Sequence, residues 1–183
     1  MKNKIKIGAT QINNGFSGQF YLPYSIGILY GFLLKNSKDP TKFDFNSIIY
    51  KRKLLNECVD HLQDRDVVLF SSYVWNEQIS LAIAKKLKEL DKKKLIVFGG
   101  PSVPDNKFGR SEKYIRENPF INILTHQEGE RSILKLLDEY PFVHKLLLPT
   151  KHIKKIKLDN DIKLSMKKLY DRDILKEQIR KYG

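Results

Sequence analysis

DVVLFSSYVWNEQISLAIAKKLKELDKKKLIVFGGPSVP, residues 66–104, decides the fold. Asp66 to Ser71 is a continuous apolar run of strand length, the pattern of a strand buried on both faces. Asn76 to Leu90 follows as a helix, with Ile79, Ile83, Leu87 and Leu90 on one face and Lys85, Lys86 and Lys88 elsewhere. Leu95 to Phe98 is a second apolar run. A strand, a helix and a strand at this spacing pair in parallel through a right-handed crossover.

The same alternation extends both ways. Lys4–Ala9 reads as the first strand, Tyr24–Leu34 as a helix, Phe45–Tyr50 as the second strand and Leu54–Gln63 as a helix. Beyond residue 104, Ser111–Glu117 reads as a helix halted by Asn118-Pro119, Ile121–Thr125 as the fifth strand and Arg131–Glu139 as a helix. Five such units predict an α/β fold: an open, doubly wound, Rossmann-like (flavodoxin-like) parallel five-stranded sheet of order 2-1-3-4-5. Residues 1–150 form that domain. Residues 151–183 read as an appendage, a C-terminal β-hairpin (Ile153–Leu158 and Ile162–Ser165 about Asp159-Asn160-Asp161) and a charged helical tail over Lys168–Lys181.

Composition narrows the function classes. One cysteine, Cys58, excludes an internal disulfide framework, cysteine-rich zinc sites and an iron–sulfur cluster held by three cysteines of this chain. No apolar run reaches the about eighteen residues of a membrane span. The opening MKNKIKIGAT lacks the apolar core of a signal peptide, so a cytoplasmic protein is expected. A formal net charge of +13 fits a polyanion partner or a lysine-rich solvated surface. The lysines are spread along the chain with no basic-aromatic ladder, which favours the surface.

In open α/β sheets a ligand sits outside the carboxyl ends of the strands. Here that edge carries TQINNGFSGQFYLP (10–23), SSYVWN (71–76), GGPSVP (99–104) and HQEGE (126–130), rich in Gly, Ser, Asn and aromatics. Common alternatives fail. Gly8, Gly15 and Gly18 do not make a dinucleotide fingerprint, no P-loop exists, and no Gly-x-Ser-x-Gly elbow exists. The third strand ends in Ser71-Ser72 rather than aspartate, and His61, His126, His144 and His152 lack metal-ligand spacing. Ser71, Ser72 and Ser102 offer hydroxyls, and Gly99-Gly100 leaves backbone that a flat ligand can approach. Pro101 stiffens the exit. Glu128 and Glu130 suit a helix N-terminus or a ligand's hydroxyl and amide groups. A tight turn, a cap and first-turn acids are the structural alternatives for these three loops. If Gly100 has ordinary strand-end dihedrals, Gly100→Val is expected to block a ligand at modest cost in stability.

Four segments, 21–34, 66–90, 95–104 and 121–137, together with the hairpin near 153–165, resemble the cobalamin (vitamin B12) binding domain at the N-terminus of B12-dependent radical SAM enzymes. The resemblance implies that the serine loop after the third strand (Ser71, Ser72) and the Gly-Gly loop after the fourth (Gly99, Gly100) flank the cofactor's nucleotide tail. It matches Gln127-Glu128-Gly129-Glu130 to the family's Gly-Glu-Gly-Glu-like segment, with Gln127 in place of the first glycine. It places Asn13, Asn14, Gly15, Leu22, Pro23, Tyr73, Trp75, Pro101, Ser102 and Gly129 around the cofactor. Gly15 stands where mutase-type relatives of the fold carry the histidine that ligates cobalt, which implies base-off binding without a histidine lower ligand and a lower face open for methyl transfer.

The Cys-x-x-x-Cys-x-x-Cys motif of a radical SAM domain is absent from this chain. The resemblance therefore implies a fragment, a truncated product or a stand-alone carrier. Cobalamin is the expected cofactor, with a radical SAM catalytic domain or subunit as partner and no catalytic or metal-ligating residue in the chain itself. Two other classes stay open: a basic nucleic-acid-binding accessory module of an RNA-modifying system, and half of a sugar-nucleotide transferase that would need a second domain.

Overall fold

The computed structural model describes residues 4–105 and 107–140. The chain begins with β1 (Ile5–Thr10), then a small antiparallel hairpin of β2 (Gly15–Phe16) and β3 (Gln19–Phe20). α1 (Tyr24–Asn36), β4 (Phe43–Phe45), α2 (Leu55–Leu62), β5 (Val67–Ser71), α3 (Glu77–Leu90) and β6 (Leu95–Gly99) follow. α4 (Arg110–Glu117), β7 (Ile123–Leu124) and α5 (Glu130–Asp138) complete the described part.

The sheet runs β4-β1-β5-β6-β7, all parallel. Counted by the order of these five strands in the chain, that is the expected 2-1-3-4-5. β5 and β6 are the apolar runs of the opening segment, and register is continuous from Val67↔Leu95 to Ser71↔Gly99. Side chains alternate across the sheet. Val67, Leu69, Leu95 and Val97 join α1 and α5 residues in one core, and Val68, Phe70, Ile96 and Phe98 join α2 and α3 residues in the other. Each fully buried aliphatic side chain stabilises the fold by about 1.5–3 kcal/mol. Phe70 and Phe98 stack at 4.6 Å between ring centroids.

Several expectations need correction. The second strand is Phe43–Phe45 rather than Phe45–Tyr50. After Phe45 the chain continues along β1 (Asn46 N donates to Ile7 O, Ile49 N to Ala9 O), but regular pairing breaks at Ser47. There Asn46 and Ser47 turn to bond His61 of α2. The buried face of α3 is Ser80, Ile83, Ala84 and Leu87, and Leu90 is 57% exposed at the last turn. The hairpin at 15–20 was not foreseen. Its signal was Ser17-Gly18, which takes positive φ at both turn residues (49° and 77°), as a tight two-residue hairpin demands. α4 stops at Glu117 before Asn118-Pro119, as expected. The expected hairpin and tail of 151–183 lie outside the described residues. Among the described residues no helix is long and apolar enough to cross a membrane.

At the lower edge, Lys94 is 2% exposed and its ammonium donates to the carbonyls of Gln63 (3.0 Å) and Arg65, closing the end of α2. Burial holds its pKa below the ordinary lysine value.

Two predictions follow from these contacts. Gly100 has φ +99°, and a Cβ there would meet Ser72 O at 2.6 Å and Ser72 N at 2.8 Å. The condition set for Gly100→Val therefore fails, and the substitution is expected to cost about 2–5 kcal/mol. Chemical denaturation will check this, and a wild-type midpoint would refute the geometry. Burial raises the phenol pKa of Tyr30, of Tyr114 (which also donates to Glu77 at 2.9 Å) and of Tyr140 well above 10.0. Their neutral forms are favoured in the fold. That stability is complete below pH 10 and lost as pH climbs beyond it. A phenolate titration followed by ultraviolet absorbance is expected to show these tyrosines ionising only as the circular-dichroism signal collapses.

Candidate functional site

α1 has no side-chain cap of its own, because its N-cap is Pro23. The end of β1 supplies one instead. The Gln11 side chain, 6% exposed, accepts from Ile26 N at 3.3 Å with Oε1. The same oxygen accepts from Ser25 Oγ at 2.7 Å, and Ser25 Oγ lies 3.0 Å from Ser71 Oγ at the end of β5. An oxygen is required opposite a backbone N–H, so the Gln11 amide orientation is fixed by its partners. Gln11, Ser25 and Ser71 thus form one polar chain that ties the start of α1 to two strand ends.

Between α1 and α5, above the core, the strand ends border a cleft of about 270 Å3. Its buried lining is Ile26, Leu29, Leu69, Phe70, Val97, Ile133 and Ser71. Its rim is Ser25, Tyr73, Gly99, Gly100, Pro101, Thr125, Gln127, Glu128, Gly129 and Glu130. Among the described residues two carboxylates stand at this rim, and no lysine or arginine lines the cleft. Thr125 spends its hydroxyl hydrogen on Phe98 O at 3.3 Å. α5 begins at the same rim without a side-chain cap, so its first N–H groups have no intrahelical partner.

The structure brings eight sequence-predicted residues to the cleft: Ser71, Tyr73, Gly99, Gly100, Pro101, Glu128, Gly129 and Glu130. The others stand elsewhere. Ser72 is fully buried, and its hydroxyl has no partner. Its backbone binds the neighbouring loop, Ser72 N donating to Gly99 O (2.7 Å) and Ser102 N to Ser72 O (3.1 Å). Asn13 is 5% exposed and donates to Tyr21 O (3.0 Å) and Leu22 O (3.3 Å), anchoring the hairpin. Asn14 and Gly15 are exposed, with Gly15 in β2. Leu22, Pro23 and Trp75 lie outside the cleft lining, and Trp75 stacks on Tyr73 at 4.6 Å.

Sequence reading missed Gln11, Ser25, Ile26, Leu29, Leu69, Phe70, Val97, Thr125 and Ile133. A usable signal existed, because Leu69 shares a strand face with Ser71, and Val97 with Gly99. The double glycine has a packing cause as well: a Cβ on Gly99 would run into the Thr125 hydroxyl, and Gly100 presses on Ser72. Gln127 has φ 58°, the left-handed region that glycine enters freely and other residues enter at about 1–2 kcal/mol.

Beside the cleft, the loops after β1 and β5 expose an apolar surface. Phe16, Tyr21, Leu22, Tyr24 and Val74 are each at least 70% exposed, and Trp75 is 43% exposed. Arg52 braces this surface by donating to Trp75 O at 2.8 Å.

No family model matches the chain. Over 117 residues, 64% of the chain, it is 31% identical to the cobalamin-dependent radical SAM methyltransferase TokK of Streptomyces tokunonensis, of which it covers 17%. Over 125 residues, 68% of the chain, it is 30% identical to the 2-(S-pantetheinyl)-carbapenam-3-carboxylate methyltransferase of Streptantibioticus cattleyicolor, of which it covers 18%. The chain spans under a fifth of the length of these curated relatives. About two-thirds of it is thus similar to part of two methyltransferases, one of them cobalamin-dependent by name.

Proposed function

We propose that this chain is a cobalamin-binding module that holds its cofactor by the nucleotide tail, base-off and without a histidine on cobalt, and serves a radical SAM domain or subunit. The observation that carries this is the cleft at the carboxyl edge of the sheet, together with the similarity to a cobalamin-dependent methyltransferase. Pockets for small molecules run from about 300 to 1,000 Å3, so a cleft of about 270 Å3 suits one part of a molecule as large as cobalamin. Its chemistry fits a nucleotide tail. The aliphatic interior takes a flat base, Ser71 meets a ring nitrogen, and Glu128 and Glu130 accept from free ribose hydroxyls. The exposed apolar surface beside it, Tyr73–Trp75 and the hairpin, suits the broad corrin ring.

Bound cobalamin supplies a cobalt centre able to carry a methyl group. The chain's own part is to position that centre and shield it from water. Gly15 sits in the exposed hairpin, His61 is bonded to Ser47, and His126 is exposed and outside the cleft lining. Among the described residues, that distribution supports a lower face without imidazole. The nucleic-acid alternative draws on the +13 charge, but among the described residues no cationic side chain lines this cleft.

Trp75 is the chain's one tryptophan, so its emission reports on this edge. Titration with hydroxocobalamin is expected to quench it saturably at micromolar ligand, with corrinoid absorbance retained through gel filtration. Absence of both signals would sink the proposal. In the cobalt(II) form, paramagnetic resonance is expected to lack nitrogen splitting from a protein ligand, and such splitting would overturn the base-off assignment.

A further inference from the structure

We infer that the cleft selects its cobamide by the lower base, taking a benzimidazole-type base and rejecting a purine; this rests on the tail-binding function proposed above. The basis is a count of hydrogens on the buried lining. Ile26, Leu29, Leu69, Val97 and Ile133 are each no more than 8% exposed and offer none from their side chains. Gln11 Oε1, held by Ile26 N, takes the single hydrogen of Ser25, whose oxygen is then left to accept. Ser71 is the partner across 3.0 Å, and its hydrogen can point to Ser25 or swing into the cleft. Thr125 gives its hydrogen to Phe98 O. Among the side chains of the buried wall, Ser71 therefore offers the one hydroxyl hydrogen to a base lying there, and the Tyr73 hydroxyl and the uncapped N–H groups of α5 stand at the rim, where the ribose and phosphate would lie.

A base-off benzimidazole presents one free ring nitrogen and otherwise carbon, which matches that supply. A purine presents further ring nitrogens and an amino group against aliphatic side chains. Each polar group buried without a partner is penalised. The same count makes Ser71 a specificity-determining residue and Gln11 and Ser25 positioning residues behind it.

The test compares three corrinoids on the full chain by calorimetry and Trp75 quenching: cobalamin, the same corrinoid with adenine as lower base, and cobinamide, which lacks the tail. Cobalamin is expected to bind at least about tenfold more tightly than the adenine form. Ser71→Ala is expected to weaken cobalamin about tenfold and leave cobinamide unchanged. Equal affinity for cobalamin and the adenine form overturns the selectivity while leaving the module itself standing. Equal affinity for cobalamin and cobinamide shows that the tail is not held here. A Ser71→Ala loss shared by cobinamide assigns Ser71 a structural role and overturns its part in selectivity. If none of the three corrinoids binds, the module function fails and the selectivity falls with it.

Discussion

The close approach of two strand ends governs everything at the upper edge. β5 and β6 pair through Ser71↔Gly99, and the next residues stay in contact. Ser72 N donates to Gly99 O, Ser102 N donates to Ser72 O, and the Gly100 α-carbon lies against the Ser72 backbone with no room for a side chain. Glycine alone meets both demands at that position, a positive φ and no Cβ. Because the two loops are bonded to each other, Ser71 and Tyr73 on one side and Gly99 to Pro101 on the other keep a fixed separation. The cleft borders that fixed pair.

The other walls depend on a second economy of partners. Helices begin with unpaired N–H groups, and a local side chain usually satisfies one of them. The N-cap residues of α1 and α5 are Pro23 and Gly129, and neither provides such a side chain. For α1 the deficit is met at a distance by Gln11. The amide that caps the helix therefore also orders Ser25 and Ser71. Structural and ligand-facing roles are joined in one chain of three side chains, so a change at Gln11 reaches the cleft without touching it.

Much of the fold was legible because parallel strands buried on both faces leave a strong apolar signal. Residues 66–104 needed only that signal and the spacing between its two runs. Weakly apolar or interrupted strands were harder. At β4 the pairing with β1 lasts through Phe45 and then yields to bonds between Asn46, Ser47 and His61, which sequence spacing does not reveal. The hairpin of β2 and β3 is held by two-residue strands and a Ser-Gly turn, too short for periodicity to register.

The sequence by itself determined a parallel sheet of five strands alternating with helices, because strand–helix–strand units of this length cross over in one hand and the apolar runs mark the central strands; the order 2-1-3-4-5 was expected as a common doubly wound type, and the pairings of the fold bear it out. It also marked the loops after β1, β5, β6 and β7 as the source of a site's residues by their asparagines, serines, glycines and glutamates, and the predicted residues of the first of these loops do not line the cleft. Only the tertiary structure decided which of those residues face one space. Ser71 borders the cleft and Ser72 does not, because adjacent strand residues point to opposite faces. Gln11, Ser25, Leu69 and Val97 entered the site through pairings and contacts distant in the chain. Such contacts depend on register and helix placement, and these are properties of the packed molecule rather than of any single segment.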